Sequence, residues 1–267
     1  MMARSEWVLR DFESVERPGA LVMARPEAVG WVRFVLDGGR TLHEAAAAQP
    51  DASRLEGRRP LFVIPAKVNR RAESEPERWV VRHYARGGLL LPPVLGDRYL
   101  RTGSVRPFQE LEASEQARAR GIPTPQVVAA AIHTSGPFYR ADLVTVYVPG
   151  STDLVAALFD TTRKGIGGAV ERQDALRAAG ELIRQLASRG LRHRDLHAGN
   201  ILLQWRGAAP SYLLVDLDRC QVLPEGVEAS REPMYRRLRR SLRKWERRSG
   251  LRISEGEWET LERAVAR

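Results

Sequence analysis

The sequence predicts an α+β chain in two lobes, a small and mostly antiparallel sheet lobe followed by a helical one. Three observations carry this. The first half is rich in alternating apolar runs broken by turns, such as Trp79–Tyr84 and Arg140–Val148. The second half carries long helical periodicities at Gln173–Arg189 and Arg231–Arg248. Between them lies GLRHRDLHAGNILL, then a short apolar strand, Tyr212–Val215, that ends in Asp216. The expected division is 1–54, an extension on the small lobe, 55–148, the small lobe, and 149–267, the large lobe with its loop at 193–200.

The loop supplies the chemistry. His193-Arg194-Asp195 is followed five residues later by Asn200, and the strand then delivers Asp216. This resembles the H-R-D-x-x-x-x-N loop and metal-binding Asp of phosphotransferases with a protein-kinase-like fold. Phosphoryl transfer needs little covalent help, so it rests on positioning and charge neutralisation. Asp195 is therefore expected to act on the acceptor hydroxyl. Asn200 and Asp216 are expected to hold Mg²⁺, which takes few protein oxygens and keeps phosphate oxygens as further ligands. ATP is the expected donor.

In chain order, Trp31–Leu36 alternates like a strand and ends at Asp37-Gly38-Gly39, and Thr41 is placed to cap a short helix. Leu61–Ala66 is a strand. Gly57 before it reads equally as a plain turn or a cover for phosphates, and Asn69–Arg78 as a solvated hairpin tip. On the next strand, Arg82 is the candidate cation for the α/β-phosphates, with Lys67 as a rival. Arg is a forked donor where kinases usually carry Lys. The apolar loop Gly87–Leu95, ringed by arginines, reads as packing on the lobe or as dipping into a membrane interface.

Pro107–Arg120 is a helix stopped by Gly121 and Pro123, with Phe108, Leu111 and Ala117 inward and Glu110 as the expected partner of Arg82. The strand through Val148 runs into Pro149-Gly150, which places the hinge at Thr145–Gly150. Ser151 or Thr152 is expected to cap the next short helix, and Thr161–Ala169 reads as a connector. Leu176, Ala179, Ile183 and Leu186 share one face of the helix that leads into the loop.

After Asp216 the chain is short. Asp218 stands where protein kinases carry Gly, and no A-P-E element follows. Little chain is left for a peptide-binding lobe, so a small-molecule or lipid-linked sugar acceptor is expected. The helix at Arg231–Arg248 is basic and amphipathic, with Tyr235, Leu238, Leu242 and Trp245 expected to face the core.

Composition narrows the setting. A hydrophobic fraction of 43% supports a real core in 267 residues. The net charge of +10 favours an anionic partner, whether acidic lipid, phosphorylated substrate or nucleic acid. No nucleic-acid module is recognisable. A single cysteine, Cys220, allows no intrachain disulfide and suggests a reducing compartment. The N-terminal segment carries acids and no apolar run, so it does not read as a signal peptide. No apolar stretch approaches the roughly 18 residues of a membrane span.

Longer pieces of sequence carry a closer resemblance. VRHYARGGLL at 81–90, GDRYL at 96–100, the RPFQE helix start, GIPTPQVVAA at 121–130 and YRADLVT at 139–145 resemble the Kdo (3-deoxy-D-manno-octulosonic acid) kinases of Gram-negative bacteria. So do RHRDLHAGNILLQ, LLVDLDRC and RLRRSLRKW. These belong to the wider lipopolysaccharide kinase group, which includes heptose kinases. The resemblance spans roughly 55–267 and departs from the usual pattern at His197, Gly199 and Leu217.

It implies transfer of the ATP γ-phosphate to the 4-hydroxyl of Kdo on a lipid A precursor, by a peripheral enzyme at the cytoplasmic face of the inner membrane, with Asp195 as active-site residue. The partners would be the lipid-linked sugar and an acidic membrane surface, with no nucleic acid. HRDLHAGN alone suits a heptose kinase or a soluble aminoglycoside- or choline-type phosphotransferase equally well. A catalytically silent kinase-like module that binds acidic glycolipid is the reading from outside the enzymes.

Overall fold

The computed structural model describes residues 10–55, 60–66, 77–85, 97–100, 105–160, 169–205, 207 and 209–267. Gly57, Lys67, most of the expected hairpin tip, the loop Gly87–Leu95 and all but the last residue of the 161–169 connector lie outside them. The chain divides into two compact units, Met1–Glu115 with Gln126–Tyr147, and Gln116–Pro125 with Val148–Arg267.

An antiparallel sheet organises the first unit. Its strands are β1 (Glu13–Arg17), β2 (Ala20–Ala24), β3 (Ser53–Leu55), β4 (Leu61–Pro65), β5 (Arg78–His83), β6 (Tyr99–Leu100), β7 (Val127–Ser135) and β8 (Phe138–Val146). Their order is β1-β2-β7-β8-β5-β4-β3, with β6 also on β8. Successive side chains of a strand leave on opposite faces, so β7 feeds two cores at once. Ala129 and Ala131 join Trp31, Val32, Val35, Trp79 and Val81 on one side. Ala130 and Ile132 join Tyr84, Tyr99, Leu111 and Tyr139 on the other.

Residues 26–37 correct the sequence-based expectation. They form a helix, α1 (Pro26–Asp37), and not a strand. Ala28, Val29, Trp31, Val32, Val35 and Leu36 are its buried residues, which is a helical stripe, while Phe34 is exposed. Pro26 at the first turn favours the start, since its missing N–H has no helical partner there. The alternation seen over six residues is a fragment of this longer period. Trp31 packs against Trp79 at 5.6 Å between ring centres. Helix α2 (Leu42–Ala47) begins at Thr41 in a reciprocal capping box with Glu44. Helix α3 (Arg106–Ala119) buries Leu111 and Glu110.

The second unit is built on α5. After β9 (Ser151–Asp153) and α4 (Leu154–Phe159), α5 (Ala169–Ser188) buries Leu176, Ala179, Ile183 and Leu186 completely. Ser151 to Asp153 form a strand, and Asp153 is the residue that caps α4, accepting from the Ala156 amide at 2.7 Å. Strand β10 (Leu191–His193) pairs with β13 (Cys220–Val222), and β11 (Ile201–Trp205) lies between β12 (Pro210–Leu214) and β9. Helices α6 (Arg231–Ser249) and α7 (Glu255–Ala266) complete the unit. Where α5 crosses α7, a Cβ at Gly180 would stand 2.6 Å from Ala264 Cβ and 2.8 Å from the Leu261 carbonyl. Only glycine allows that approach.

The buried stripe of α6 is Met234, Leu238, Leu242 and Glu246. Tyr235 and Trp245, expected inside, are half-buried. Glu246 is tolerated because its carboxylate accepts from the Ile253 amide at 2.9 Å and from Arg243 at 3.1 Å. Cys220 sits in β13, and burial pushes its thiol up to about 12, which disfavours the reactive thiolate.

Candidate active site

The loop after β10 is fixed by backbone and imidazole together. Its two flanks are tied by the β10–β13 ladder, where His193 opposes Cys220, and by the Arg194 amide on the Arg219 carbonyl at 3.2 Å. Inside this frame the buried His193 touches both acidic segments. The Asp195 amide donates to His193 Nδ1 at 3.2 Å, and His193 Nε2 meets the Asp216 carbonyl at 3.0 Å. An amide can only donate and a carbonyl can only accept. Nδ1 is therefore bare and Nε2 carries the hydrogen. Burial lowers the His193 pKa, which keeps this neutral tautomer at physiological pH.

Asn200 closes the loop from the other side. Its side-chain amide donates to the Asp195 carbonyl at 3.2 Å. That bond orients the side chain and makes its oxygen the acceptor end. Its backbone carbonyl accepts from the Val215 amide at 3.0 Å, which brings the strand ending in Asp216 against it. Asp216 has φ 64° and is the sole non-glycine residue with positive φ among the described residues. A left-handed residue other than glycine costs on the order of 1 kcal/mol and persists where its surroundings enforce it. Here the bonds at Val215 and at the Asp216 carbonyl do so.

Helix α6 lies along the loop. Met234 Sδ receives the His193 amide at 3.5 Å, and Ser241 Oγ receives the Ala198 amide at 3.2 Å. Between them Arg237 donates from Nε to Asp195 Oδ1 at 2.9 Å and from Nη2 to the same oxygen. Residues 234, 237 and 241 fall on one helical face by the three- and four-residue spacing. Arg237 is a candidate site residue that sequence reasoning missed, as one more cation of a basic amphipathic helix. The signal was its place between Met234 and Leu238 on the inner stripe.

In the first unit, Arg82 on β5 meets Glu110 on α3 at 2.5 Å. Tyr84 donates its hydroxyl to the same Glu110 oxygen, and Arg82 lies 4.7 Å above the Tyr84 ring. Glu110 is buried, so two donors are what makes its charge tolerable.

Beside it is a cluster that sequence reasoning did not anticipate. Asp142, fully buried, accepts from His83 Nδ1 at 2.6 Å and from the His43 amide at 3.0 Å. His83 Nε2 reaches Asp97 at 3.1 Å. His133 stands 3.6 Å from Asp142, close enough for charge but too far for a hydrogen bond. Burial opposes ionisation of Asp142, but the histidines outweigh it and hold the carboxyl well below the usual range. Burial also opposes a charge on His83, and the two carboxylates outweigh it and raise its pKa above 6.5. The three residues come from RHY, GDRY and RADL, so the pieces of sequence that carry the resemblance meet in one buried network.

The antiparallel sheet unit and the helical unit with this loop define a phosphotransferase of protein-kinase-like fold. The family model described as "Lipopolysaccharide kinase (Kdo/WaaP) family" matches residues 58–264. A 3-deoxy-D-manno-octulosonic acid kinase of Actinobacillus succinogenes is 34% identical over 184 residues, 68% of this chain and 72% of that protein. Those of Pasteurella multocida and Haemophilus influenzae are 32% and 31% identical over the same shares of each chain. A solved structure titled "WaaP in complex with acyl carrier protein" has a TM-score of 0.50 at 18% identity, covering 89% of this chain and 86% of its own. That likeness concerns the fold. The chain belongs to the lipopolysaccharide kinase (Kdo/WaaP) family and is a kinase.

The His83 network gives a signed pH dependence. A histidine whose folded pKa is raised contributes stability that is complete below about pH 6.5 and is lost as pH rises through the folded value. The gap in urea midpoint between wild type and His83→Gln is therefore expected to be largest near pH ~6 and to shrink towards pH ~9. A gap that stays constant over that range would contradict a charged His83.

Proposed function

We propose that this kinase transfers the terminal phosphate of ATP to the 4-hydroxyl of a Kdo residue on a lipid A precursor. The observation that carries the proposal is the tie through His193 between Asp195 and Asp216, in a chain whose relatives are named Kdo kinases. Those names do not favour the heptose, aminoglycoside or silent-module alternatives.

In this reading Asp195 accepts the proton of the acceptor hydroxyl. The acceptor oxygen forms a bond to the γ-phosphorus, the bond from that phosphorus to its bridging oxygen breaks, and ADP leaves. Asn200 and Asp216 offer hard oxygen donors, an amide and a carboxylate, which suit Mg²⁺. Bound there, Mg²⁺ supplies neutralisation of the phosphate charge. Among the described residues no group of three or more His, Cys, Asp or Glu could hold a metal ion. The proposed site therefore uses phosphate oxygens to complete the ligand set. Arg82, oriented by Glu110, is the proposed contact to the α/β-phosphates.

The test is transfer of label from ATP to Kdo-lipid A precursor, beside the same lipid without Kdo and beside an aminoglycoside. Label is expected on the Kdo lipid alone. Asp195→Asn is expected to reduce that transfer by at least about 10², the scale of positioned proton transfer, with the fold retained by circular dichroism. Label on another acceptor, or near wild-type turnover of the variant, would overturn the assignment.

The proposal also places the enzyme on the acidic cytoplasmic face of the inner membrane as a peripheral protein. No helix among the described residues is long and apolar enough to cross a membrane. On α6, Arg239 and Arg243 lie over the Trp258 ring at 5.9 and 4.6 Å, and Arg236 pairs with Glu232 at 3.2 Å. Arg240, Lys244 and Arg247 are exposed at helical spacing and form the face proposed to meet lipid. At about 1 kcal/mol per cation near an acidic surface, replacing the three with Gln should weaken binding to anionic vesicles roughly 10²-fold at low salt. Unchanged co-sedimentation would remove this face from membrane contact.

A further inference from the structure

The guanidinium of Arg237 raises a question that the transfer step leaves open. Two of its N–H groups converge on a single oxygen of Asp195, Oδ1. A guanidinium more often donates two parallel bonds, one to each oxygen of a carboxylate. Arg237 is 41% exposed and Asp195 24% exposed, so the pair lies at the surface of its unit. A guanidinium has five N–H donors in a fixed fork, and two of them serve Asp195. The helix beneath is held against the loop by Met234 and Ser241 on either side. Arg237 therefore presents a fixed cation beside the proposed base.

The proposed acceptor is an acid. Its hydroxyl must approach a carboxylate, and its own carboxylate then comes near Asp195 with like charge. A cation at that place offsets the repulsion, and among the described residues Arg237 is the cation that touches Asp195. We propose that Arg237 recognises the carboxylate of the acid sugar, sharing its fork between Asp195 and the acceptor. It would then set specificity for an acidic acceptor and orient the base at the same time. This inference rests on the acceptor assignment above. It adds a role for a residue on a helix that otherwise reads as a basic surface.

The experiment compares Kdo-lipid A precursor with the same lipid whose Kdo carboxyl is converted to its methylamide. Both are assayed with wild type, Arg237→Gln and Arg237→Lys. Wild type is expected to show a KM at least about tenfold higher for the amide, the scale of a lost hydrogen bond to a charged group. Arg237→Gln should raise KM for the acid and bring the two acceptors within about threefold of each other. Arg237→Lys, which keeps the charge without the fork, should keep part of the preference.

A residue that only clamps Asp195 would instead lower kcat for both acceptors alike and leave their ratio unchanged, which would overturn the inference. If Arg237→Gln does not fold, judged by circular dichroism and ATP binding, the wild-type ratio and Arg237→Lys decide. If wild type labels neither lipid, the acceptor assignment falls and this inference with it. If it labels both equally, the inference alone is overturned.

Discussion

A single buried imidazole holds the loop after β10 together. His193 accepts the amide of Asp195 on one side and donates to the carbonyl of Asp216 on the other. Each bond requires a particular ring nitrogen to be protonated or bare, so the two together admit only the neutral Nε2–H tautomer. Burial favours that form, and the β10–β13 ladder fixes the ring in place. The left-handed backbone of Asp216 depends on the same contact. Without the acceptor-side bond, a cost on the order of 1 kcal/mol at Asp216 would have one restraint fewer against it. Proposed base and proposed metal ligand thus share one origin.

The second constraint is the contact between α6 and the loop after β10. The loop takes support from outside its own strands. Met234, Arg237 and Ser241 give it at one-turn intervals. This explains how a helix so rich in arginine stays folded against a core. Its arginines are partly spent on Asp195, on the Trp258 ring and on Glu246. The exposed remainder is a smaller and more localised cationic face than the sequence suggests.

Much of this is legible in the sequence, for physical reasons. The Asp195–Asn200–Asp216 spacing is set by a tight loop and a hairpin, both local. The inner face of α5 is written in its periodicity. The contact between Arg82 and Glu110 can be anticipated because a strand residue and a helix residue are each placed by short-range patterns. What is not legible depends on distant partners. The alternation in Trp31–Leu36 gave the wrong period because six residues sample too little of a helix. Glu246 looks solvated until Ile253 and Arg243 are seen to satisfy it. The His83–Asp142–Asp97 network joins residues 14 and 59 positions apart in sequence. Polar contacts of that kind leave no periodic trace. Arg237 was hidden by company, one arginine among several, distinguished only by its helical phase.

The most direct measurement is the tautomer and charge state of His193, from imidazole ¹⁵N chemical shifts in two-bond ¹H–¹⁵N correlation spectra across pH ~7 to ~8. The account predicts a neutral ring protonated on Nε2 throughout that range, with shifts that do not titrate. An imidazolium near pH ~7, or a neutral ring protonated on Nδ1, would contradict it, because neither state can accept the Asp195 amide.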